Sequence, residues 1–327
     1  MRAIVHHEYG SPERVLRLAE VERPTVGDRE VLVAVRASSV NMADLAVVTG
    51  RPGLIRAVAG LRRPRTQIPG RDLAGVVEAV GAAVSGLRPG DEVYGEATQA
   101  YAEYAAVRPD QLAPKPSNLT FEQAATVPLA GLTAWQALQK VQVTPGQRVL
   151  VNGASGGVGH FAVQIAAAQG AQVTGVCSAR NAELVRGIGA DQVIDYQQSD
   201  YTALGAQYDV IVDVVVTHSL AENRRALTPT GVYLSVGTSP GSGPGEGGLV
   251  GPIPAIAAVA LRSMTARPQR LVVVSATPNA GIAELTSLIE SGRVTPSIER
   301  TYPLAEVPDA LRHLATHHAR GKLAITV

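Results

Sequence analysis

The residues best suited to chemistry begin with a turn. In VLVNGASGGVG, Val149 to Gly159, an apolar run gives way to glycines at three-residue spacing, Gly153, Gly156 and Gly159. Glycine permits positive φ and lets a phosphate approach the backbone. A helix that starts just beyond offers free N–H groups and a partial positive charge. Gly159 lets that helix pack close to the preceding strand. A glycine triplet alone says little, so the context decides. Here the pattern predicts a strand at Arg148–Asn152, a turn over Gly153–Gly157 and a helix over Val158–Gln169. The expected dinucleotide cradle is Gly153, Ser155, Gly156, Gly157, Val158 and Gly159.

The next candidate strand, Gln172–Cys177, indicates which dinucleotide. An NAD site places an acid at its end to bind the ribose 2′-hydroxyl. This strand ends in Cys177, followed by Ser178, Ala179, Arg180 and Asn181. No carboxylate stands there to repel a 2′-phosphate, while Ser178 and Arg180 can donate to one. The expected cofactor is NADP(H).

The elements that must position these residues fall into two textures. The first 120 residues are strand-rich, with EVLVAVRASSV, AGVVEAVG and DEVYG separated by Gly and Pro turns. This predicts a barrel-like β domain. From about Leu119 to Gly237, strands alternate with helices. Further strands are expected at Gln192–Asp195, Asp209–Val215 and Val232–Val236, and a helix at Phe121–Gln139. Wholly apolar strands joined by helices imply a parallel sheet covered on both faces. The Gly/Pro-rich loop from Ser239 to Gly251 leads to an apolar segment, a strand at Leu271–Ser275 and a helix at Ala280–Ser291. GKLAITV reads as a closing strand. The expected division is 1–120 as the β domain, completed by 268–327, and 121–267 as the nucleotide domain.

Bulk properties narrow the class. Hydrophobic residues make up 46% and charged residues 17% of 327, enough to build a large core. The net charge is +1, which argues against nucleic acid or an anionic membrane as partner. The local basic run Arg51, Arg56, Arg62, Arg63 and Arg65 reads as a solvated or dimer-facing loop. The lone Cys177 excludes a disulfide within the chain and a cysteine-rich zinc lobe. MRAIVHHEYG lacks a signal-peptide pattern, and the most apolar tract, Leu249–Leu261, is short and holds Pro252 and Pro254. A soluble cytoplasmic protein is expected. Of seven histidines only His313 and His317 have ligand spacing, on a helix with no acid or cysteine beside them.

NGASGGVG, with AGLTAWQAL before it and GADQVIDY after it, resembles the medium-chain dehydrogenase/reductase superfamily, and within it the zinc-independent quinone oxidoreductase branch. PGRDLAGVVEAVG, PGDEVYG and the closing SGRVTPSIERTYPLAEVPDALRHLATHHARGKLAITV extend the likeness over the whole chain. The resemblance implies an α/β protein: a GroES-like β-barrel catalytic domain and a doubly wound Rossmann domain, with the cofactor between them and a homodimer as the assembly. It implies hydride transfer from NADPH to an apolar quinone or α,β-unsaturated carbonyl. The alternatives are an enoyl-thioester or polyketide-type reductase, or an NADPH-binding sensor or structural protein with little turnover.

The same resemblance supplies further residues. Asn41 and Asp44, in SSVNMADL, match an N-x-x-D motif facing the nicotinamide; Asn41 donates to the acceptor oxygen, and Asp44 orients the site or bonds the loop backbone. Thr133 lies near the nicotinamide or its phosphates, Tyr196 beside the 2′-phosphate, and Gly237 at the carboxamide. The zinc-ligand positions of the alcohol-dehydrogenase relatives hold Asn41, Arg71 and Ala130, none of which suits zinc, so no metal is expected. Many enoyl-reducing relatives carry a tyrosine after N-x-x-D. TGRPGLIRAVAGLRRPRTQIPG has none, and with Leu249–Leu261 it could wall a bulky apolar acceptor or form dimer surface or core.

Overall fold

A computed structural model describes residues 1–236 and 268–327. The chain opens with an antiparallel hairpin, β1 (Arg2–Val5) and β2 (Arg17–Glu20). Then come β3 (Val31–Ser39), β4 (Asp72–Val80), β5 (Glu92–Glu96), β6 (Tyr104–Val107) and the two-residue β7 (Ala113–Pro114). The middle of the chain supplies β8 (Arg148–Asn152), β9 (Gln172–Cys177), β10 (Gln192–Asp195), β11 (Tyr208–Asp213), β12 (Leu227–Ser235) and β13 (Arg270–Val273). The last two strands are β14 (Ile298–Pro303) and β15 (Lys322–Thr326).

β8 to β13 form a six-stranded parallel sheet in the order β10-β9-β8-β11-β12-β13. The order reverses between β8 and β11, so the turn after β8 lies at the switch point of a doubly wound sheet, where such folds bind ligands. Apart from one exposed residue at the start of each, β8 and β9 are buried throughout, as a doubly covered sheet demands. The second sheet has seven strands, with β14-β15-β3-β4-β5-β7 in order and β6 paired with β3. β15 runs antiparallel to β3, matching Ala324 with Ser39. The chain's last strand is thereby seated beside one of its earliest. The two sheets share a core: Ala37, Ala74 and Tyr94 pack in one cluster with Leu132, Val151 and Phe161.

Three expectations need correction. The helix expected over Phe121–Gln139 is two helices, Phe121–Ala125 and Pro128–Gln139. Proline has no N–H to give the carbonyl of Ala124, which takes the Val127 N–H instead at 3.2 Å. β12 starts at Leu227, five residues before the expected Val232, with Pro229 and Gly231 inside it. The return to the first sheet begins at β14, not at 268, because β13 pairs in parallel with β12. The tract Leu249–Leu261 lies outside the described residues. Among those described, no helix is long and apolar enough to cross a membrane.

Candidate functional site

The glycine turn leaves β8 at Asn152 and enters the helix Gly159–Ala168. Gly153 adopts φ +86°, a left-handed conformation that side chains rarely take. A Cβ on Gly159 would lie 2.0 Å from the Gly153 carbonyl oxygen, so this position admits no side chain. Gly156 and Gly157 differ, since a Cβ there meets nothing closer than 3.4 and 3.5 Å. A methyl group at either would make only ordinary contacts. Among the described residues, the N–H groups of Gly157 and Val158 have no acceptor. Bare N–H groups at a helix start fit the diphosphate of a dinucleotide. Ser155 lies beneath, its Oγ accepting from Asn181 Nδ2 at 2.9 Å.

The next two strands end side by side. Cys177 pairs with Asp195 across β9 and β10, so Ser178 and Tyr196 follow neighbouring strand ends. The Tyr196 N–H donates to the Cys177 carbonyl at 3.2 Å, and the residue is 53% exposed. Arg180 is also exposed, and its guanidinium donates to the His318 carbonyl at 3.1 Å. Burial raises the Cys177 thiol to about 11, so it stays protonated. Thr133 is half-buried on the helix Pro128–Gln139, with its hydroxyl donating to the Leu129 carbonyl at 2.7 Å. Gly237 lies outside the described residues.

The turn is also tied to the end of the chain. Gly321 N–H donates to the Ser155 carbonyl at 2.7 Å, and Lys322 N–H to the Ser297 carbonyl at 2.8 Å. His160, fully buried in the helix after the turn, lies 3.0 Å through Nδ1 from the Gly156 carbonyl and accepts the Ser297 N–H at Nε2, 3.3 Å away. A carbonyl needs a donor and an N–H needs an acceptor, so Nδ1 carries the proton and the ring is neutral. Burial lowers its pKa to about 4, in keeping with that.

On the other side of Lys322 lies a cluster of buried polar side chains. Asn41 follows β3 and caps the helix Met42–Thr49. Its amide donates to Asp72 Oδ2 at 2.9 Å and accepts at Oδ1 from the Lys322 ammonium. Asp72, at the start of β4, is fully buried. It also accepts from Ser39 Oγ at 2.8 Å and from the Leu129 N–H at 2.9 Å, which joins it to the start of the Pro128–Gln139 helix. Lys322 is 3% exposed, with Nζ 3.3 Å from the Val40 carbonyl and 3.7 Å from Asp72 Oδ2. Burial pulls its ammonium below the usual range, and the charge of Asp72 opposes that.

Asp44 does the second of the two jobs expected of it. Its Oδ2 accepts the Asn41 N–H at 2.8 Å, so it holds the loop backbone. It is 1% exposed, and among the described residues its Oδ1 has no hydrogen-bond partner. Burial, then the nearby Asp72 charge, raises its carboxyl to about 7. Arg71 is ion-paired to Glu96, its Nε and Nη2 both donating to the one carboxylate oxygen Oε1. Asp72 and Lys322 belong to none of the motifs that mark the site in the sequence. One signal was present: each opens an apolar strand, in DLAGVV and KLAIT, where a charge has to be partnered.

Comparison with known proteins agrees with this geometry. Residues 27–117 match the alcohol dehydrogenase GroES-like domain family, and residues 188–325 the family described as zinc-binding dehydrogenase. The mouse mitochondrial NAD(P)H oxidoreductase RTN4IP1 is 34% identical over 100% of this chain and 89% of its own. The chain belongs to the medium-chain dehydrogenase/reductase superfamily. An NADPH-dependent alkenal/one oxidoreductase of Arabidopsis thaliana chloroplasts is 32% identical over 99% of this chain and 79% of its own. The Escherichia coli quinone oxidoreductase, solved in complex with NADPH, superposes with a TM-score of 0.81 at 26% identity and covers 100% of both chains. These likenesses place it in the quinone oxidoreductase branch of the superfamily, with that branch's GroES-like and Rossmann architecture.

Proposed function

We propose that the chain is an NADPH-dependent reductase of quinones and α,β-unsaturated carbonyl compounds that works without zinc. The observation that carries this is the contact between two half-sites. A phosphate-ready glycine turn meets, through Lys322, an asparagine amide held by buried charges. The names of the relatives support the same reading.

When bound, NADPH supplies the hydride from C4 of its nicotinamide. The chain holds and orients. Gly157 and Val158 offer their N–H groups to the diphosphate, within the cradle formed by Gly153, Ser155, Gly156 and Gly159. Ser178, Arg180 and Tyr196 would hold the 2′-phosphate, and Thr133 would lie near the nicotinamide or its phosphates; Gly237, expected at the carboxamide, lies outside the described residues. Asn41 has two amide hydrogens, and one goes to Asp72. The other meets the acceptor oxygen, where negative charge develops. Asp44 acts through the backbone of Asn41. A reduced quinone is a stabilised anion that water can protonate, so no dedicated acid is required.

Zinc does not suit this site. Asn41, Arg71 and Ala130 stand at the ligand positions, and the fixed charge of Arg71 and the ammonium of Lys322 oppose a dication. A homodimer through an edge strand of the parallel sheet completes the proposal.

The test is NADPH consumption with chelator present, over a panel of quinones, enones and enoyl thioesters, repeated with NADH. Turnover of quinones or enones with NADPH preferred is the expected result. Activity lost to chelator and restored by zinc overturns the zinc-free claim. Tight NADPH binding without turnover overturns the enzymatic one, and turnover of thioesters alone reassigns the acceptor.

A further inference from the structure

Lys322 is the one buried ammonium in this cluster, and the chemistry proposed above gives it no task. Its surroundings suggest one. Both ends of the Asn41 amide face a formal charge: Lys322 Nζ donates to Oδ1, and Nδ2 donates to Asp72 Oδ2 at 2.9 Å. Turning the amide over would set NH2 against an ammonium and Oδ1 against a carboxylate. Donor would face donor and acceptor would face acceptor, all within a buried site. Only one orientation is therefore allowed, and among the described residues it leaves the second N–H of Asn41 without an acceptor.

The placement of the ammonium is itself determined by the glycine turn. The Lys322 Cδ lies 3.5 Å from where a Cβ on Gly157 would stand. The backbone beneath is fastened by the Gly321 N–H to the Ser155 carbonyl and by the Lys322 N–H to the Ser297 carbonyl. Lys322 thus reaches from the nucleotide turn to the amide that the acceptor meets.

We propose that Lys322 is a positioning residue for Asn41: with Asp72 it locks the amide orientation and polarises its free N–H toward the acceptor oxygen. This rests on the reductase reading given above. A cation on Oδ1 draws electron density from the nitrogen and makes its remaining hydrogen a better donor. The lock is set before any ligand arrives, so it lowers reorganisation during the reaction.

The test compares Lys322→Met, Asn41→Ala and the double variant with the parent protein. Lys322→Met should lower kcat about tenfold to a hundredfold, the scale of a misplaced catalytic contact. The NADPH dissociation constant, read by fluorescence of the bound nucleotide, should stay within about twofold, because hydrogen bonds of this class are needed to move it further. In the Asn41→Ala background, Lys322→Met should have no further effect on kcat. Equal losses with and without Asn41 overturn the proposal, as does an unchanged kcat in Lys322→Met.

A second readout needs no turnover. With asparagine-selective 15N labelling, the side-chain amide pair of Asn41, assigned by its loss in Asn41→Ala, should shift in Lys322→Met without nucleotide. An unmoved pair refutes the lock even if the parent protein reduces nothing, whereas inactivity of the parent itself overturns only the reductase reading. If Lys322→Met fails to fold, Lys322→Met with Asp72→Asn removes both charges of the buried pair. It should show the same kcat loss and the same amide shift, and parent-like values for both overturn the assignment.

Discussion

The glycine turn and the Asn41 cluster meet at Lys322, yet they prepare for ligands in opposite ways. The turn works by subtraction: side chains are missing, N–H groups stand bare, and one backbone angle lies where only glycine rests easily. The cluster works by saturation. Asp72 accepts from Ser39, Asn41 and Leu129, and each end of the Asn41 amide faces a charge. A phosphate brings its own charge, so bare donors and a helix start suffice. A neutral carbonyl brings little, so the protein must supply a donor already aimed. The difference also sets how each region fails. The turn breaks when something is added, and the cluster when something is removed.

The largest effect is expected from removal. Asp72→Ala leaves Lys322 buried with its carboxylate gone, which costs about 3–5 kcal/mol, the usual scale for breaking a buried pair. Denaturant unfolding checks this, and a loss under about 1 kcal/mol would mean that the cluster is not held by Asp72.

Acid comes next. His160 is neutral when folded, with a pKa of about 4 against about 6.5 unfolded. Above pH 6.5 neither state is protonated and the packing is intact. As pH falls, the unfolded chain takes a proton that the folded one refuses, so stability is lost between pH 6.5 and about 4. The loss amounts to about 3 kcal/mol over that window. His160→Gln should flatten this slope in chemical denaturation run at a series of pH values. An unchanged slope would assign the acid sensitivity to other groups.

Addition to the turn follows. Gly159→Ala drives a methyl group into the Gly153 carbonyl and should cost about 1–3 kcal/mol and most NADPH affinity. Gly157→Ala, with its nearest neighbour at 3.5 Å, should fold with parent stability. Calorimetric binding and melting separate the two, and equal damage from both would erase the distinction between a packing glycine and a clearance glycine.

The smallest effect concerns cofactor choice. Arg180→Ala should reduce the NADPH-over-NADH preference about tenfold, the worth of one charge-assisted hydrogen bond. The ratio of kcat/KM values reports it. An unchanged ratio counts against the 2′-phosphate role of Arg180.

Much of the parallel sheet was legible before any coordinates. Arg148–Asn152, Gln172–Cys177 and Gln192–Asp195 are strands within the bounds read from their apolar runs. The first two are buried on both faces, so their composition marks them, whereas Gln192–Asp195 is a half-buried edge strand read from its short apolar run. β12 was harder, because Pro229 and Gly231 make its first half read as a turn. The expected helix over Phe121–Gln139 ignored Pro128, a punctuation mark present in the sequence.

The sequence by itself determined the glycine turn, its strand and helix, and the missing acid after Cys177, because each depends on neighbours a few residues away. Only the tertiary structure decided what Asp72 and Lys322 are for. Position 322 reaches Asn41 across 281 residues because β15 pairs with β3, and sheet register, not local pattern, brings them together. A buried charge announces that it has a partner; only the fold says which.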